Sequence, residues 1–267
     1  MDAPTRREFL ATGGVAVAAL LGGGARSVAA PAWLDRCDYG PFQIVAEFPL
    51  APLDDSVQDL SRLEHELQRT LGLPPARETI QVYLLANEDA HRSLLKQLFP
   101  RVPYRRALYV QRDRRASLYA YRHAELPIDL RHECTHALLH ANLAMVPLWL
   151  DEGLAEYFEM PEAERAFGHP HLAALNWNLR LGMLRNVESL ETAENLSEMG
   201  GVEYRYSWAW VHFMLHGPVA AHRALVEFVA DIHRGTPPGR LSERLHTAVP
   251  QLDNRMVQHF KQWRAPV

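Results

Sequence analysis

Residues 132–136 read His-Glu-Cys-Thr-His, and they constrain this chain more than any other segment. Helical residues four apart project from nearly the same face, one turn apart. A helix here therefore aims the imidazoles of His132 and His136 at one point. At about 100° per residue, His136 lies roughly 40° around the axis from His132, and Glu133 roughly 100°. Two neutral imidazoles are good zinc ligands, and a carboxylate beside them can take a proton from a water that the metal polarises. The flanks, Ile128-Asp129-Leu130 and Ala137-Leu138-Leu139, are largely apolar, so the helix must be substantially buried. A buried His/Glu cluster is costly unless it is paired or metal-bound. Pro127 suits a first helical turn, and Asp129 suits the positive end of the helix dipole.

A second carboxylate segment follows closely: Pro147-Leu148-Trp149-Leu150-Asp151-Glu152-Gly153-Leu154-Ala155-Glu156-Tyr157-Phe158-Glu159. Glu152 and Glu156 are again four apart on an apolar helix, which should end near Pro161. An antiparallel helix pair would set one of these carboxylates opposite the two imidazoles. The result is a His2Glu donor set with an open fourth position, the catalytic type of zinc site. The other carboxylate can accept from the outer nitrogen of a ligand imidazole and fix the ring. The Glu-Gly context favours Glu152 as the ligand and Glu156 as the orienting group.

His-Glu-Cys-Thr-His followed by Trp-Leu-Asp-Glu-Gly-Leu-Ala-Glu-Tyr resembles the gluzincin metallopeptidases, whose third ligand is a Glu in an Asn/Asp-Glu-Gly context. More narrowly, residues of about 42 to 262 resemble bacterial peptidase-MA-like domains. The resemblance implies an α+β, zincin-like fold, zinc held by His132, His136 and Glu152, and Glu133 as general base. It also implies a single metallopeptidase domain over 30–267. The chain lacks a Gly-Ala-Met-Glu-Asn-like exopeptidase segment, so an aminopeptidase assignment does not follow.

The N-terminus reads as a targeting segment. Thr5-Arg6-Arg7-Glu8-Phe9-Leu10 is a twin-arginine pattern, followed by an Ala/Val/Leu/Gly stretch from Ala11 to Gly24 and by small residues at Ser27-Val28-Ala29. Residues 1–29 are thus expected to be an export signal of the twin-arginine type, giving a periplasmic or secreted protein. The apolar run is short of the roughly 20 residues that a membrane span needs. The formal net charge is −4, so no nucleic-acid footprint is expected. The basic run from Arg101 to Arg115 reads as a solvated hairpin. Cys134 falls about 200° from His132, on the far side of its helix, and reads as a small buried thiol. The spacing from Cys37 neither demands nor forbids a disulfide.

Along the chain the patterning predicts a strand over 42–48 and a helix over 53–71 stopped by Gly72. A strand over 79–85 and a helix capped by Asn87 and stopped by Pro100 follow. Strands over 107–111 and 117–121 flank a turn at Asp113-Arg114-Arg115. After the two motif helices, helices are expected at about 170–185, 203–216, 219–234 and 251–263. The order is a small sheet first and helices after. A zincin presents an edge strand beside its motif helix, where an extended peptide can add; Ser117–Tyr121 is the expected strand.

His140 follows His136 by four but lies roughly 12 Å along the axis from His132, out of reach of a metal held by the first two imidazoles. Tyr204 is the expected oxyanion donor, Tyr206 the alternative, and His212 a weaker one, all on or near one helix that also carries Trp208. The expected activity is hydrolysis of a peptide bond in a peptide or protein substrate. The alternatives are a zinc amidase acting on cell-wall peptide and a zinc-bearing binding module without turnover.

Overall fold

The computed structural model describes residues 32–112 and 115–265. The expected export signal (1–29) and the turn residues Asp113 and Arg114 lie outside the described residues. The fold is mixed α+β, with a five-stranded sheet in the N-terminal half and mostly helices after it. Two compact units are present. The first comprises the chain up to Ser61 and Arg77–Ala137, the second Arg62–Ala76 and the chain from Leu138 onward. Of the three boundaries, two fall inside continuous helices, α1 (Asp54–Leu71) and α3 (Leu126–Asn142), and the third in the segment after Gly72.

The first unit is built on the strands β1 (Asp35–Tyr39), β2 (Phe42–Ala46), β3 (Ile80–Leu85), β4 (Ala107–Arg112) and β5 (Arg115–Tyr121), in the order β1-β2-β3-β5-β4. The three inner strands run parallel, and each outer strand is antiparallel to its neighbour. Period-2 alternation sends every second side chain to one face. The register Ile44–Val82–Leu118 lines up three residues that are fully buried. Each such aliphatic side chain contributes about 1.5–3 kcal/mol on burial. Helix α2 (Glu88–Leu98) packs on β3 and β5, and its first turn is capped by the Asn87 side chain, which accepts from the Ala90 N–H at 3.0 Å.

The structure corrects one expectation. Ser117–Tyr121 is not an edge: β5 is hydrogen-bonded on both sides, to β3 and to β4. The free edge beside it is β4. The burial patterns explain the order. β5 alternates buried Ala116, Leu118 and Ala120, whereas β4 buries only Ala107 and leaves its other side chains half-covered. Strand β1 was not expected, because Asp-Arg-Cys-Asp-Tyr has no apolar face. It pairs with β2 through a turn at Gly40, whose φ is +54°.

The second unit is helical. It holds α4 (Leu148–Glu159), the short α5 (Glu162–Arg165), α6 (His171–Arg180), the short α7 (Val187–Leu190), α8 (Gly201–His216), α9 (Val219–His233), α10 (Leu241–Ala248) and α11 (Leu252–Gln262). α6 ends earlier than expected, before Gly182, which adopts the left-handed φ of +71° that stops a helix. Helix α10, eight residues long after a Pro-Pro-Gly turn, was also not expected. Within this unit Arg165, only 4 % exposed, forms an ion pair with Glu66 at 2.8 Å and donates from Nε to the Met160 carbonyl at 3.1 Å.

Candidate metal centre

α3 is pinned at several points along the motif. Asp129, in its first turn, accepts from Arg106 at 2.9 Å and faces His123 at 3.2 Å. The buried Arg131 guanidinium pairs with Asp59. Thr135 donates from its hydroxyl to the Arg131 carbonyl at 2.8 Å, so this polar side chain is satisfied within its own helix. Cys134 is fully buried and is a free thiol. Burial pushes the Cys134 thiol well above its ordinary range, so it is chemically silent in the fold.

This rigid helix brings the two imidazoles together. Nε2 of His132 and Nε2 of His136 lie 3.3 Å apart, with the rings at 73° to one another. Two ligand nitrogens at 2.0–2.1 Å from one tetrahedral ion are separated by about 3.3–3.4 Å. The spacing of the two nitrogens is therefore that of a zinc pair. His136 is 4 % exposed while His132 is half-buried, which leaves one side of the pair accessible. Beside them, one carboxylate oxygen of Glu133 accepts from the backbone N–H of Tyr109 at 2.8 Å. Tyr109 lies on β4, the outer strand among the described residues, so the expected general base is held by that strand.

α4 carries the carboxylates. Ten of its twelve residues are buried, and Glu156 and Glu159 are the exceptions. Glu152 is 2 % exposed and Asp151 fully buried. Asp151 faces Nε2 of His140 at 3.0 Å, which accounts for both groups. Gly153 gives the Glu-Gly context its physical reason. A Cβ at this position would sit 2.6 Å from the Ser207 carbonyl oxygen, so only glycine lets α4 pack this closely on α8. His132 and His136, in the first unit, and Glu152, in the second, are ligand-type side chains that could hold a metal ion. Their chemistry, two imidazoles and one carboxylate, suits zinc.

Glu156, expected to orient a ligand imidazole, faces Nε2 of His171 at 3.0 Å, and its backbone carbonyl faces Nε2 of His169 at 3.0 Å. The His169 ring stacks on Trp208 with centroids 4.5 Å apart, and burial lowers its pKa to about 4. His169-Pro170-His171 did not stand out in the sequence. Its only signal was two histidines flanking a proline, and their partner Glu156 is fifteen or fewer residues away but on another helix.

Two of the three oxyanion candidates are engaged elsewhere. Tyr206 is buried and its hydroxyl donates to the Met183 carbonyl, so that proton is engaged. His212 is fully buried with both nitrogens occupied, Nε2 by the Ala166 carbonyl and Nδ1 by Nε2 of His259, each at 3.0 Å. Tyr204, one turn into α8, is half-buried.

Fold and donor set together define an α+β protein with a candidate metal centre on its motif helix. The profile of a family described as "Protein of unknown function (DUF1570)" matches residues 129–237, a stretch that contains His132–His136 and all of α4. No curated protein matches the chain. Among the described residues no helix is long and apolar enough to cross a membrane.

Proposed function

We propose that this chain is an exported zinc-dependent hydrolase of the gluzincin type that cuts a peptide bond. The observation that carries the reading is the 3.3 Å separation of the His132 and His136 Nε2 atoms, the spacing a tetrahedral zinc requires. Glu152 would complete the set. Zinc bound there supplies a Lewis acid and lowers the pKa of a water. Glu133 accepts the proton of the attacking water and passes it to the leaving amine. The Tyr204 hydroxyl donates to the oxygen on which negative charge develops. An extended peptide adds along β4, and its backbone, rather than its side chains, supplies most of the recognition.

The test separates metal from chemistry. Purified protein is expected to carry about one zinc per chain by elemental analysis. His132→Ala should lose it. Glu133→Gln should keep the zinc and lower hydrolysis of a fluorogenic casein by roughly 10²- to 10⁴-fold. Hydrolysis persisting at the parental rate in Glu133→Gln would remove the general-base assignment. A His132–His136 hydrogen bond with no metal would show as zinc-free protein.

A further inference from the structure

A second site lies in the helical unit, built from residues that the hydrolytic reading does not use. Between α6 and α11 a pocket of about 520 Å³ opens to solvent. That is the size of a small-molecule site, typically about 300–1,000 Å³. Its floor is apolar and fixed: Leu179 and Phe260 are 6 % and 1 % exposed. One wall is the Trp263 indole, which is held in two ways. It stacks on Phe167, with centroids 4.8 Å apart and planes 8° from parallel, and its Nε1–H donates to the Ala166 carbonyl at 2.7 Å. The wall is thus rigid before any ligand arrives, which reduces the ordering cost of binding.

The charge at this pocket is one-sided. Arg180, Lys261 and Arg264 line it, and among the described residues no carboxylate does. Three cations among the lining residues stand out in a chain whose formal net charge is −4, although the Arg264 guanidinium donates to the Trp263 carbonyl at 2.6 Å. An apolar floor with an aromatic wall and a cationic rim is complementary to one kind of molecule, an apolar body that ends in a single negative group. We propose that this pocket binds a free amphiphilic carboxylate. The acyl or aryl body lies against Trp263 and Phe260, and the carboxylate meets Arg180 and Lys261. Arginine suits the planar head group through paired N–H donors, and lysine adds a point charge.

The probe is sodium decanoate below its micellar concentration, titrated calorimetrically into the full-length chain, with decanol as the neutral counterpart. Decanoate should bind with one equivalent per chain, and decanol at least about tenfold more weakly. Arg180→Glu combined with Lys261→Glu should weaken decanoate by at least about tenfold, since reversal replaces attraction with repulsion. Both residues are exposed, so the thermal midpoint should stay where it is; Arg180→Lys with Lys261→Arg should restore binding. Ala173→Trp, which places an indole in the pocket, should abolish it. Decanol binding as tightly as decanoate, a charge-reversed variant that binds normally, or uptake only from vesicles of anionic lipid would each overturn the proposal. So would no heat at all from decanoate.

Discussion

Tyr204 and Tyr206 are two residues apart on α8 and differ in burial. The Tyr206 hydroxyl is buried and spent on the Met183 carbonyl. Removing it with Tyr206→Phe strands that carbonyl, so we expect a stability loss of about 1–3 kcal/mol by urea unfolding, with hydrolysis retained. Tyr204→Phe should do the reverse. Stability should stay within about 0.5 kcal/mol, while kcat falls by roughly 10²- to 10³-fold, the usual consequence of losing an oxyanion donor. Equal activity loss in both variants would mean that α8 packing, not a hydroxyl, is responsible. The candidate ligands could be read from the sequence because their signal is local: His132 and His136 share a helix face, and Glu152 stands beside a glycine. The pairing of Glu156 with His171 could not, because the chain must first turn after α5 to return His171 to α4.

At the scale of elements, the close approach of α4 to α8 rests on one position. Gly153→Ala would force a methyl against the Ser207 carbonyl at 2.6 Å and the Val211 side chain at 3.0 Å. The helices would have to separate, at a cost of about 1–3 kcal/mol despite the better helix propensity of alanine. Because Glu152 precedes Gly153, zinc retention on dialysis should fall as well. Unchanged stability and unchanged zinc content would show that the two helices can relax apart freely. The elements that the sequence predicts well are those with strong apolar periodicity, such as α1 with Val57, Leu60, Leu63, Leu67 and Leu71 all buried. Those it conceals depend on a partner. β1 has no apolar face and becomes a strand only by pairing with β2, and nothing in two similar runs says which of β4 and β5 lies outside. That choice is made by β3, whose parallel register accepts β5.

Over the whole molecule, the unusual quantity is the number of histidines held neutral by the fold. Burial lowers His91, His169, His216 and His259 to about 4, and His212 to about 2. In the unfolded chain these groups return to an ordinary value near 6.5. Between the two values the unfolded state binds more protons than the folded one, so stability rises with pH there. The contribution is fully present above about pH 6.5 and is lost as the pH falls towards 4, with His212 extending the loss towards 2. Each such group adds a slope of at most about 1.4 kcal/mol per pH unit. His91, His169 and His212, the three that are nearly inaccessible, therefore act on a total stability of only about 5–15 kcal/mol. The urea midpoint should fall steeply from pH 7 to pH 5, measured in chelator so that any bound metal does not contribute. His212→Leu should reduce that slope by about one proton at pH 5, even though it lowers stability at pH 7 by leaving the Ala166 carbonyl one donor short. A midpoint that does not move between pH 7 and pH 5 would mean that these imidazoles are not buried in the neutral form.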